Sequence, residues 1–94
     1  MNERKLGEQK YRQAPVLTPE NAIELKNKSC LVEHFDSFER KNRVSVGTII
    51  EVVPRDESRH YNGKITVRLR ENSHRFGKIV NVPGRFYVWL EVKT

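Results

Sequence analysis

Period-two alternation of apolar and polar residues is clearest over Lys64-Ile65-Thr66-Val67-Arg68-Leu69-Arg70. A strand with this pattern puts Ile65, Val67 and Leu69 on one face and Lys64, Thr66, Arg68 and Arg70 on the other. Four further runs rich in Val, Ile, Phe, Tyr and Trp also read as strands: Cys30–Phe35, Val44–Val53, Lys78–Val82 and Phe86–Val92. In the last of these, Phe86, Val88, Leu90 and Val92 form the more uniformly apolar face, which predicts that it joins the core. Tyr87, Trp89 and Glu91 then point outward. Gly47, inside the second run, marks a bend or bulge.

The connections carry turn chemistry. Pro54 ends the second run, and the polar stretch after it leads to Asn62-Gly63, a hairpin pair suited to positive φ. Val82-Pro83-Gly84-Arg85 reads as a type II turn, and Asp36–Asn42 is the longest polar connection in the first half. Upstream, Thr18 offers an N-cap, Pro19 a first helical position and Glu20 an acid in the first turn. A short helix over about residues 19–28 follows, with Ala22, Ile23 and Lys26 near one face; alternatively, Ala22–Leu25 extends the first strand. Met1–Ala14 is polar, with Leu6 and Tyr11 as its only large apolar residues after Met1. It reads as a flexible arm, so the chain divides into an arm over 1–16 and one small β domain over 17–94.

Five short strands joined by tight turns resemble, in number and spacing, the SH3-like small barrels, with the OB-fold as the second candidate. The resemblance covers about Cys30 to Thr94 and identifies no family. It implies a mainly β, five-stranded barrel with a short N-terminal helix, an architecture that serves binders of many kinds.

Charge changes the picture more than composition does. The chain has 94 residues, 36% of them apolar, and a formal net charge of +6. From Lys64 to Arg85 there are six cations, Lys64, Arg68, Arg70, Arg75, Lys78 and Arg85, against Glu71 alone, which gives five of the six net charges. Arginine's planar fork matches phosphate, so this row predicts a polyanion partner. Outward-facing Tyr87 and Trp89 beside arginines would add base stacking, favouring RNA or single-stranded DNA. Few other side chains suit base edges, so low sequence specificity is expected.

A second basic patch, Arg40, Lys41 and Arg43 with Phe38 at the loop tip, supports a different reading. In that reading a small adaptor or inhibitor, of the phage or mobile-element type, docks on an acidic surface of a larger enzyme or complex, with Phe38, Tyr87 and Trp89 as anchors. A third reading is a subunit of a ribonucleoprotein. An exposed edge strand leaves self-association open.

Enzymatic and metal functions find little support in the residues. Acids are scattered, and Ser73-His74 adjacency does not make a triad. The five glycines are isolated, so no phosphate loop is formed. Cys30 and His34 share strand parity, but no CxxC or HxxxH spacing occurs, and no metal or cofactor is expected. A single cysteine excludes an internal disulfide. No apolar run approaches the roughly 20 residues of a membrane span, and the polar N-terminus lacks a signal-peptide core. A non-enzymatic, cytoplasmic nucleic-acid-binding module, with a regulatory role in transcription or translation, is the expectation.

Overall fold

A computed structural model describes residues 3–70 and 77–92. The chain is mainly β, with one helix and a seven-stranded antiparallel sheet among the described residues. The strands are β1 (Glu3–Leu6), β2 (Gln9–Gln13), β3 (Ser29–Asp36), β4 (Lys41–Val53), β5 (Lys64–Leu69), β6 (Ile79–Val82) and β7 (Val88–Glu91). Helix α1 spans Pro19–Leu25. Across the sheet the order is β1-β2-β7-β3-β4-β5-β6, so among the described residues the sheet is not a closed barrel and β1 and β6 lie at its ends.

The five predicted strands all form, close to their expected limits. Alternation places Ile65, Val67 and Leu69 inside, where they pack with Cys30, Val32, Ile49, Val80, Val82 and Val88. The inner face of the sheet is therefore a near-continuous aliphatic layer, which helix α1 closes with Leu25 and the preceding segment with Leu17. Thr18 caps α1 by accepting from the Asn21 N–H at 3.1 Å, as predicted. The helix stops at Leu25 rather than near Lys28. Ile23 is 80% exposed, because in a seven-residue helix only Leu25 reaches the core.

Other expectations need correction. Residues Glu3 to Gln13, read as a flexible arm, form the β1–β2 hairpin, and β2 pairs with β7. The two-residue turn Gly7-Glu8 joins them, with Gly7 at φ +63°, the positive φ that a II′ hairpin turn needs at its first central residue. The strands are too polar to show alternation, and their order comes from pairing with β7.

Gly47 is not a bulge. The register shift in β4 lies between Ile49 and Glu51, while Gly47 sits where β4 presses on β5. A Cβ there would meet Val67 Cγ1 and lie 2.8 Å from the Arg68 carbonyl oxygen. Asn62-Gly63 does not make the reversal between β4 and β5. That connection turns at a short 3-10 segment, Glu57–Arg59, inside an Asp56–Tyr61 bridge. Gly63 is instead required by its φ of +94° and by the Val53 carbonyl 2.7 Å from where a Cβ would sit. At Pro83 the chain does turn tightly, but Gly84 has φ 99° and ψ −178°, outside the type II range, and its N–H donates to the Val82 carbonyl. Phe86 lies in a 3-10 turn, Arg85–Tyr87, which breaks the strand parity and leaves it exposed.

Candidate binding surface on the outer sheet face

The outer face of β5 carries Lys64, Thr66 and Arg68, continued by Arg70 just beyond the strand. Arg68 is opposite Thr48 on β4 and Ile79 on β6, and Thr48 is opposite Ser29 on β3. Arg70 donates from its backbone N–H to the Val46 carbonyl at 2.9 Å and from its guanidinium to Ser29 Oγ. Thr66 donates to Asn81 Oδ1 at 2.6 Å. The result is a strip of hydroxyl, amide and guanidinium groups on a rigid ladder. Both arginines are exposed, and neither forms an ion pair among the described residues.

The rest of the predicted set is dispersed. Lys64, at the far end of β5, lies 4.0 Å from Glu51. Lys78 is exposed just before β6, where its carbonyl accepts from the N–H of inward-facing Leu69 at 2.8 Å, out of the outward parity that Arg68 and Arg70 share. Arg85 donates to the Ala14 carbonyl at 3.0 Å and stacks 4.6 Å from the Phe86 ring, which makes it a tie between the 3-10 turn and the segment after β2. Arg75 lies outside the described residues.

Trp89 is the main correction. It does face the outer side, opposite Leu31 on β3 and Gln13 on β2. It is nevertheless only 6% exposed, because Tyr11, Leu31 and Val46 pack around it and the Arg4 guanidinium lies 4.1 Å above its ring. Arg4 is held there by Glu33 at 3.4 Å. The sheet thus has a second, small core on its outer face, built by the β1–β2 hairpin, and Trp89 offers no stacking surface. Burial, followed by the nearby Glu91, raises the pKa of Tyr11, while Arg70 opposes the rise. Tyr87, the other aromatic of the pair, is 41% exposed.

The β3–β4 turn is tightly built. Asp36 accepts from the Phe38 and Glu39 N–H groups at 2.9 and 3.2 Å, and Arg40 takes φ +58°. Phe38 projects from the tip, 74% exposed. Arg43 pairs with Glu39 and with Asp36 at 3.7 Å, and Lys41 with Glu39 at 3.4 Å, so two of this patch's cations are already satisfied internally.

Titratable groups inside the sheet serve packing. Burial pushes the Cys30 thiol up to about 12, which keeps it protonated and inert. His34 shares a 2.8 Å hydrogen bond between Nε2 and Ser45 Oγ, and burial lowers its pKa. Among the described residues no group of three or more His, Cys, Asp or Glu is arranged to hold a metal ion, and no helix is long and apolar enough to cross a membrane. Set against protein-family models, curated proteins and solved structures, the chain matches none of them.

Proposed function

We propose that this chain is a non-enzymatic module that binds nucleic acid through its phosphates, on the outer face of β5. The supporting observation is that Arg68 and Arg70 are exposed on that face without an acid partner among the described residues. Ser29 and Thr48 beside them supply hydroxyl groups of the kind that hydrogen-bond phosphate oxygens. With Trp89 covered, the contact is to the backbone and not to stacked bases, so low sequence specificity follows. A regulatory role in transcription or translation, and a cytoplasmic location, are part of the same proposal.

The strand order β7-β3-β4-β5-β6, with a 3-10 turn leading into β7, supports reading this part as an SH3-like barrel left open at one seam. We propose that description for the part of the chain from β3 to β7, with the β1–β2 hairpin as an addition to it.

A fluorescein-labelled single-stranded oligonucleotide titrated at several salt concentrations tests the function. Binding should weaken steeply with salt, and each of Arg68→Ala and Arg70→Ala should reduce the slope of log affinity against log salt by about 1. An unchanged slope in the double variant would remove the site. Docking on a protein through Phe38, Arg40, Lys41 and Arg43 is the second reading, favoured by the exposure of Phe38 on a rigid turn. It is the weaker one, because Lys41 and Arg43 already have carboxylate partners.

A further inference from the structure

A small cavity lies beyond the Lys64 end of β5, between the segment before α1, the loop after β4 and the turn after β6. Its volume is about 210 Å³. Val16, Leu17, Pro83 and Phe86 supply the apolar lining. Arg55, Asn62 and Arg85 supply the polar part, so both charged lining residues are cations and, among the described residues, no carboxylate lines it. The walls are fixed in place by hydrogen bonds to the backbone. The Arg55 N–H donates to the Leu17 carbonyl at 2.8 Å and Asn21 Nδ2 to the Val16 carbonyl at 2.7 Å. Gln13 Nε2 donates to the Phe86 carbonyl at 3.2 Å and Arg85 Nη1 to the Ala14 carbonyl at 3.0 Å. The cavity is therefore preformed, which spares a ligand the cost of ordering its walls.

Neither arginine is neutralised from within the cavity. Among the described residues Arg85 has only uncharged partners, the Ala14 carbonyl and the Phe86 ring. Arg55 pairs with Glu57 at 2.8 Å, but the Glu57 side chain is 77% exposed. A pair so open to water is weak, and a ligand carboxylate can join or replace it. The apolar rim is open as well, with Phe86 60% exposed and Val16 36% exposed.

We propose that this cavity binds an acidic segment of a partner protein, which inserts one large apolar side chain against Phe86 and Pro83 and sets a neighbouring Asp or Glu carboxylate on Arg55 and Arg85. Size selects the class of occupant. A volume of 210 Å³ is below the roughly 300 Å³ at which small-molecule sites begin, so there is room for one side chain and not for a nucleotide. The lining points the same way, since an apolar floor takes the anchor and a guanidinium fork takes a carboxylate in two parallel hydrogen bonds. A second copy of the chain is the less suitable occupant, since two copies carry +6 each. Arg68 and Arg70 lie at the other end of β5, so binding here is independent of the nucleic-acid reading.

The test is a displayed library of random short peptides, selected on the immobilised full chain at physiological salt, with enriched peptides then added to isotope-labelled protein. Enriched sequences should join Asp or Glu to an adjacent large apolar residue and should shift the amides of Val16, Leu17, Asn62, Gly84 and Phe86. Arg55→Ala should weaken the enriched peptide about tenfold, as loss of a charge-assisted hydrogen bond does, with the urea midpoint unchanged. Arg59→Ala, on the same loop but outside the cavity lining, should leave the affinity as it is. Oligonucleotide binding should survive in both variants. Failure to enrich any sequence, a consensus without an acid, shifts confined to other residues, or equal losses from Arg55→Ala and Arg59→Ala would each overturn the proposal. So would an oligonucleotide that shifts the cavity amides at lower concentration than the peptide, since nucleic acid would then be the occupant.

Discussion

β5 and β7 carry the same alternating pattern and end in opposite circumstances. Both direct aliphatic residues to the inner core: Ile65, Val67 and Leu69 from β5, and Val88 with Leu90 from β7. On the outer face, β5 shows Arg68 to solvent, whereas β7 buries Trp89 beneath Tyr11 and Arg4. The difference is not in either strand. It lies in whether a third element is available to cover the outer side, and the β1–β2 hairpin reaches β7 but not β5. A strand's own residues decide which faces exist; the rest of the chain decides which of them stay wet.

The largest effect that separates the two strands is on stability. Trp89→Ala should cost about 3–5 kcal/mol in urea unfolding, as removal of a buried aromatic does. Arg68→Ala, on the open face, should change stability by less than about 0.5 kcal/mol. Equal losses from the two would erase the distinction between a covered and an open face.

A smaller effect tests the inner side of β5. Gly47→Val places side-chain atoms where Val67 and the Arg68 carbonyl already lie. A loss of about 1–3 kcal/mol is expected from such overpacking. The same substitution at Gly7, where a Cβ would meet nothing within 4 Å but φ is +63°, should act only through the turn. Denaturation midpoints of the two variants give the comparison directly.

The lid over Trp89 can be weakened without removing the ring. Arg4→Ala deletes the guanidinium above it, which is worth about 0.5–1 kcal/mol for a partly exposed cation–π contact. Trp89 emission should shift to the red as water reaches the indole. An unshifted spectrum would mean that Tyr11 and its neighbours alone keep the ring dry.

The inner face also carries a pH dependence. Burial, first, and then Lys78 and Arg43 lower the His34 pKa from 6.5, against the opposing effects of the Phe35 carbonyl and Asp36. The unfolded chain therefore binds this proton at a higher pH than the folded one. Stability from His34 is full above about pH 6.5 and is lost as pH falls from there through the lower folded value. His34→Gln should flatten the fall in thermal midpoint over that window, and an unchanged slope would assign the dependence to other groups.

Much of the fold was legible because β strands with one buried face write it as alternation. β5 is the plainest case, and the cap at Thr18 is another, since both depend on neighbours in sequence. What was not legible depends on partners far along the chain. Glu3–Leu6 and Gln9–Gln13 have no apolar period, so only Gly7 at a two-residue spacing and the lone Tyr11 hinted at a hairpin. Strand parity places Trp89 on the outer face, but burial does not follow from parity when another hairpin lies on top. Asn62-Gly63 was overruled by the Asp56–Tyr61 bridge, which reverses the chain earlier. The basic row was legible as charge and not as a site: strand parity keeps Arg68 and Arg70 together, while Lys64, Lys78 and Arg85 each follow a different local constraint.

The contrast between the two outer surfaces is tested most directly by side-chain and amide NMR of the intact chain during addition of a single-stranded oligonucleotide. Shifts should centre on Arg68 and Arg70 and include Ser29 and Thr48, with the Trp89 indole N–H unmoved. A shift centred on Trp89, with the two arginines unaffected, would contradict the account.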